Sequence, residues 1–200
     1  WGVPYLFFHD SVFTLHRKRT LELCRLLVAR DLVVPFTCQT RADRLDDELL
    51  DALAAAGCRH VMFGIESGDA ETLARIHKAM PLARVRESVA ATRARGMRTT
   101  GFFMIGFPWE TREAIERTAD FAVEVGVDMV SLFSAVPLPG TELWEIAGGG
   151  VPDAVDFRAP QVNLTRIPDY PELFAAVKAR LTAYNEARML TPRTGSAATP

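Results

Sequence analysis

Residues 56–68 read Ala56-Gly57-Cys58-Arg59-His60-Val61-Met62-Phe63-Gly64-Ile65-Glu66-Ser67-Gly68, and this stretch decides the fold. Its apolar centre, residues 61–65, is short and nearly continuous, as in a strand buried in a parallel sheet. Gly57 stands just before it, where a helix that must turn at once into a strand needs a left-handed residue. The strand runs out on a carboxylate, Glu66, flanked by Gly64 and Gly68, and Asp69 then offers a helix N-cap. Helix, glycine, strand, acid, helix is one turn of a βα repeat.

The same pattern recurs on both sides. Further apolar runs lie at residues 3–8, 33–37, 102–105 and 129–133. Between them fall stripes at helical spacing: Leu45, Leu49 and Leu53; Leu82, Val85 and Val89; Ile115, Ala119 and Ala122. Gly96 and Gly126 repeat the punctuation of Gly57, Asp46 is a second N-cap, and Pro81 suits a first helical turn. No hairpin signal and no internal linker interrupt the series, so residues 1–147 are predicted to form an α/β domain of βα repeats. Residues 148–190 read as a C-terminal extension. A short helix near residues 142–147 precedes it, and it holds a Gly148-Gly149-Gly150 break, a wandering proline-containing stretch at 151–170, and a last helix carrying Leu173, Val177, Leu181 and Tyr184. Residues 191–200 read as a frayed tail.

Composition limits the function. The 200 residues are 48% hydrophobic and 24% charged, enough apolar material for a core without disulfides or a structural metal. With 23 Lys+Arg against 25 Asp+Glu, the net charge of −2 leaves no basic excess to neutralise phosphates, against a dedicated nucleic-acid binder. No run is long enough to span a bilayer. Cys24, Cys38 and Cys58 are too few and too scattered for a disulfide scaffold, which points to a reducing cytoplasm. Buried packing is their simplest role, and His9, His16, His60 and His77 show no metal-ligand spacing.

Ligands of parallel βα folds bind where strands end. The residues there are His9-Asp10-Ser11; Cys38-Gln39-Thr40-Arg41 with Asp43; Glu66-Ser67-Gly68; Gly106-Phe107-Pro108-Trp109-Glu110-Thr111; and Val136-Pro137-Leu138-Pro139-Gly140-Thr141. Each has a plain alternative. Asp10 could cap the helix that begins near Thr14, Arg41 and Asp43 could be a surface ion pair, Lys78 could serve a helix dipole, and Gly106-Phe107-Pro108 could be only a turn. Arg84, Arg86, Arg93 and Arg95 read as a solvated helix face. Glu66, directly after a buried strand, is better placed as a ligand than as a cap.

Taken in order, Phe8-His9-Asp10-Ser11-Val12-Phe13-Thr14, Arg41-Ala42-Asp43, Ala56-Gly57-Cys58 leading to Gly64-Ile65-Glu66-Ser67-Gly68, Ile76-His77-Lys78, Gly106 to Thr111 and Pro137-Leu138-Pro139-Gly140-Thr141 make the chain similar to the radical S-adenosylmethionine (SAM) superfamily. The spacing resembles the branch whose members often carry a cobalamin-binding domain, strongly over residues 3–145. That resemblance implies a partial (β/α)6 barrel holding SAM and a [4Fe–4S] cluster, with cobalamin in some members. It implies reductive cleavage of SAM to a 5′-deoxyadenosyl radical, a small-molecule substrate, and a reductant such as flavodoxin or ferredoxin. Residue by residue, it places Asp10 toward the methionine amine and Arg41 and Lys78 toward its carboxylate. Glu66 and Ser67 fall toward the ribose hydroxyls, with Gly106, Phe107 and Pro108, and Pro137 and Leu138, beside adenine.

The departures from the family are informative. The CxxxCxxC loop that supplies the cluster thiolates is missing, and residue 1 falls at what corresponds to the second strand. The resemblance therefore implies that the first βα unit lies upstream; the alternative is a cluster-free barrel that binds a nucleotide-like ligand or a partner. Ser11 stands where this branch often has a second Asp. Trp109 stands where it often has Gly, which implies a bulkier rim over adenine.

Overall fold

The computed structural model describes residues 2, 4–78, 80–148 and 163–190. Five strands, β1 (Leu6–Phe8), β2 (Phe36–Thr40), β3 (Cys58–Glu66), β4 (Arg98–Ile105) and β5 (Met129–Ser134), form one sheet in chain order, and every neighbouring pair is parallel. The helices are α1 (Arg17–Ala29), α2 (Asp47–Ala55), α3 (Ala70–Arg75), α4 (Leu82–Ala94), α5 (Arg112–Glu124), α6 (Glu142–Ile146) and α7 (Tyr170–Leu190). Right-handed crossovers between sequential parallel strands put the connecting helices on one face and leave the other face concave, the plan of a partial (β/α) barrel.

The expected punctuation is present. Gly57, Gly96 and Gly126 all have left-handed φ; at Gly57 the need is also steric, because a Cβ would lie 2.7 Å from the Val34 carbonyl oxygen. Asp46 accepts from the Leu49 amide and Asp69 from that of Thr72, and Thr111 and Thr141 cap α5 and α6 in the same way. Pro81 is the N-cap of α4 rather than its first turn. The N-cap of α1 is His16, without a side-chain bond, so Asp10 caps nothing.

Three readings change. The strands do not coincide with the apolar runs: β2 starts three residues later than its run, while β3 and β4 start earlier, at Cys58 and Arg98. They are also not equally buried on both faces. In β3, Val61, Phe63 and Ile65 are buried, whereas His60, Met62 and Glu66 are half-exposed. Only one face meets helices, and the concave face tolerates polar residues that break an apolar run. Finally, two of the four arginines on and just after α4 are inter-helix ties, while Arg84 pairs with Glu87 on its own helix and Arg93 with Asp128 before β5. Arg95 pairs with Asp51 at 2.5 Å and Asp47 at 3.0 Å on α2, and Arg86 with Glu124 at 2.7 Å on α5. Exposed pairs of this kind add little to stability, because water screens them and two long side chains must be ordered to form them.

The core lies between the sheet's convex face and the helices, built on Phe36, Val61, Phe63, Ile65, Phe103 and Ile105 with Leu49, Leu53, Val85, Val89 and Ile115. Tyr170, Leu173, Phe174, Val177 and Leu181 of α7 belong to the same cluster, so the last helix is built into the barrel wall. Of the wandering stretch at 151–170 only residues from 163 onward are described, and the tail at 191–200 lies outside the described residues. Among the described residues no helix is long and apolar enough to cross a membrane.

Candidate functional site

The carboxyl end of β3 is the most constrained point on the rim. Glu66 is its last residue and adopts φ 72°, a left-handed conformation that costs a non-glycine residue on the order of 1–2 kcal/mol. A break in register between Gly64 and Glu66 against β4 accommodates it. The effect is to throw the carboxylate back over the concave face, where Oε1 accepts from Lys78 Nζ at 2.6 Å. Gly64 lies beneath this pair: a Cβ there would stand 2.9 Å from both Glu66 Oε1 and Lys78 Nζ.

Lys78 reaches that position through a second strained residue. After α3, His77 takes φ 55°, its amide bonds to the Ala74 carbonyl and that of Lys78 to the Leu73 carbonyl at 2.9 Å. This is the double-bonded helix terminus that glycine normally makes, here held by a histidine. Two candidate ligands from separate elements are thus brought together, and Glu66 Oε2 makes no hydrogen bond among the described residues.

The other predicted residues have varied surroundings. Ser67 is fully buried, bonded to Thr118 Oγ1 at 2.9 Å and accepting from the Asp69 amide at 3.0 Å. It faces α5, opposite to Glu66. Gly68 also serves α5: a Cβ there would lie 2.5 Å from Phe121 Cβ. The space at Gly68 is therefore taken by packing and is not room for a ligand. Burial works to raise the Asp69 carboxyl, but bonds from the Thr72 amide, Arg117 and the Thr72 hydroxyl prevail and hold it below the usual range. Arg41 makes a two-pronged pair with Asp43 at 2.9 and 2.8 Å, which keeps that carboxyl low. Asp10 is exposed, 3.8 Å from Arg19. Pro137 is buried and Leu138 exposed on the loop after β5, where the Leu138 carbonyl accepts from the Thr141 hydroxyl at 2.6 Å.

The loop after β4 holds what the sequence reading missed. The amides of Gly106 and Phe107 both donate to Glu110 Oε2, at 2.6 and 3.0 Å. Burial pushes this carboxyl up to about 7 despite those two bonds, and its Oε1 is buried without a partner. A glutamate four positions after a strand-end glycine was the available signal. Phe107 is buried and stacks on Trp109, centroids 5.2 Å apart, with the Arg75 guanidinium 5.5 Å over the indole. Below the rim, Met62, Phe102, Met104 and Phe133 form a half-exposed apolar wall on the concave side, outside the main core.

The cysteines are packed, not poised. Cys38 and Cys58 lie 3.9 Å apart on adjacent strands, the thiol of Cys38 is pushed up by its bond with Cys58 and by burial, and burial raises Cys24 to about 11. No group of three His, Cys, Asp or Glu side chains suited to a metal ion exists among the described residues. These residues do not fit an iron–sulfur cluster. They do fit SAM: a carboxylate with a free oxygen, an ammonium and an apolar wall converge on one concave rim.

A family model described as Radical SAM superfamily matches residues 1–122, and the chain belongs to that superfamily. It is 33% identical over 147 residues to an uncharacterized methyltransferase of Pyrococcus horikoshii, covering 74% of this chain and 32% of that protein. To cytidylyl-2-hydroxyethylphosphonate methyltransferase of Streptomyces wedmorensis it is 38% identical over 152 residues, covering 72% of this chain and 28% of that protein. Among solved structures, the radical S-adenosylmethionine methyltransferase TsrM from Kitasatospora setae, with cobalamin and a [4Fe–4S] cluster bound, superposes with a TM-score of 0.67 at 24% identity, covering 74% of this chain and 31% of that one. The chain thus spans about a third of the length of the curated relatives it matches. Radical SAM enzymes use SAM and a [4Fe–4S] cluster, and cobalamin is bound in some structural neighbours.

Proposed function

We propose that this chain forms the SAM-binding rim of a radical SAM enzyme that cleaves SAM reductively to a 5′-deoxyadenosyl radical and uses cobalamin in methyl transfer. The methyltransferase relatives support that outcome. The observation that carries the reading is Glu66, held in a strained conformation at a strand end with one oxygen on Lys78 and the other without a partner among the described residues. Strain of this kind persists where the surroundings over-determine it, and it clusters at ligand sites.

When bound, the cluster supplies the electron and SAM the radical; the cluster's thiolates come from outside the described residues. The chain's own task is to bind and orient. The free oxygen of Glu66 accepts ribose hydroxyls, while Lys78 restrains the carboxylate and presents its ammonium to the methionine carboxylate. The apolar wall below takes a small-molecule substrate and keeps water from the radical. Asp10 and Arg41 serve the methionine end, and the loops at residues 106–108 and 137–138 flank adenine. A reductant such as flavodoxin or ferredoxin completes the system, in the cytoplasm.

Calorimetric SAM binding to the complete protein tests this. Two hydrogen bonds to an ionised acceptor are lost in Glu66→Ala, at a cost on the order of 2–3 kcal/mol. Glu66→Gln keeps an acceptor and loses less, and Glu87→Ala on the exposed side of α4 serves as the control. A folded Glu66→Ala protein that binds SAM like wild type removes Glu66 from the site.

A further inference from the structure

We infer that the first turn of α7 is a working part of the cofactor rim, with Tyr170 and Glu110 acting as positioning residues for the loop at residues 106–108. This rests on the reading that the rim holds SAM, with that loop beside adenine.

The loop is gripped from two sides. On one, Glu110, only 4% exposed, draws the Gly106 and Phe107 amides onto a single oxygen. On the other, Tyr170 is fully buried, its hydroxyl donating to the Ile105 carbonyl and bonding Ser134 Oγ, each at 3.1 Å. One phenol therefore ties the ends of β4 and β5 together. Gly106 sits directly against it with φ 99°, and a Cβ there would collide with the Tyr170 hydroxyl and ring. Beside this contact, Arg112 binds both oxygens of Asp169 at 2.7 Å, so residues on either side of the loop and of the helix start are pinned in parallel. The consequence is mechanical. The loop's two amides and its glycine are committed inward, and its surface toward a ligand can shift only if α7 shifts.

The ring of Tyr170 also fills core space near Phe174, 6.2 Å away between centroids. Ring and hydroxyl are separable, because Tyr170→Phe keeps the first and removes the second.

The experiment uses the complete protein and measures binding of SAM, of 5′-deoxyadenosine and of methionine, together with melting, for wild type, Tyr170→Phe, Glu110→Gln, Glu110→Leu and Glu66→Ala. Tyr170→Phe is expected to weaken SAM and 5′-deoxyadenosine by a similar factor, about five- to tenfold for one lost buried hydrogen-bonding group, and to leave methionine unchanged. A merely structural residue would not divide the two ends of the cofactor. Glu110→Leu should show the same division, and Glu110→Gln, which still offers one acceptor oxygen to both amides, should restore most of the affinity. If Glu66→Ala weakens SAM but folded Tyr170→Phe binds all three ligands like wild type, the role of α7 is overturned and the SAM reading stands. Should wild type fail to bind SAM, or Glu66→Ala bind it unchanged, the SAM reading itself falls. If Glu110→Leu does not fold, Tyr170→Phe still decides.

Discussion

The two edges of the sheet are finished in opposite ways. At β5, the Asn185 side chain of α7 imitates a neighbouring strand: its Oδ1 accepts from the Val130 amide and its Nδ2 donates to the Val130 carbonyl, both at 2.8 Å. Tyr184 donates to the Val127 carbonyl at 2.6 Å and Arg188 to that of Gly126 at 2.8 Å. At the other edge, β1 is only three residues long. Tyr5, Leu6 and Phe7 are 45%, 37% and 44% exposed, with Leu32 and Val33 also open nearby. One edge is sealed by the chain itself; the other is apolar and suited to being covered. Unpaired strand edges recruit partners, so in the isolated 200-residue chain the side that bears β1 should govern association and the side that bears α7 should govern stability.

The largest effect expected is a pH dependence on the sealed side. Glu110 stands at about 7 when folded against an ordinary 4.5, so the folded state holds its proton more tightly than the unfolded one. Its contribution is fully present below 4.5 and is lost as pH rises through 7, a swing of roughly 3 kcal/mol. Chemical unfolding at pH 4.5 and pH 8 should show most of that difference in wild type and little in Glu110→Gln. Next comes Asn185→Ala, which leaves the Val130 amide and carbonyl without their partner. We expect a loss of about 2 kcal/mol, together with new concentration-dependent light scattering as the β5 edge opens. A variant that melts like wild type would show that helix packing alone closes this edge.

Smaller effects belong to the open side. Phe7→Lys should change stability by no more than about 0.5 kcal/mol yet reduce association of the 200-residue chain, because a charge on an edge strand discourages pairing. If the chain is a monodisperse monomer before the change, the β1 edge is not a liability. The smallest expected effect is none. Cys24, Cys38 and Cys58 lie on α1, β2 and the central strand β3, and anaerobic reconstitution of the 200-residue chain should give the same negligible iron and sulfide content whether they are present or replaced by serine. A stoichiometric cluster lost with them would overturn the buried-packing role.

Much of this fold was legible because local rules and tertiary demands agree. Gly57, Gly96 and Gly126 end helices in the left-handed conformation, a demand the chain meets within a residue or two, and Asp46 and Asp69 cap by bonds spanning three. The strand starts were hidden because His60, Arg98 and Thr100 lie on or near the concave face, where polar side chains interrupt an apolar run without harm. In the site, Glu66 was legible as an acid at a strand end. Its pairing with Lys78 was not, since it depends on left-handed turns at Glu66 and at His77, where no glycine announces one. Ser67 illustrates the same limit: adjacent residues face opposite ways, so one serves the rim and the other α5. Nothing local marks Tyr170 as the partner of Ile105, 65 positions away.

The sequential strand order has a consequence for synthesis. Because the sheet is ordered β1-β2-β3-β4-β5, each strand from β2 onward finds its upstream neighbour already made as it leaves the ribosome, and the sheet can grow in the direction of translation without waiting for distant segments. The exception is the β5 edge, whose seal, α7, is translated some forty residues later. Until Asn185 arrives, the nascent sheet carries a growing tip like that of a filament, and a stall in that interval would present it to any chaperone within reach.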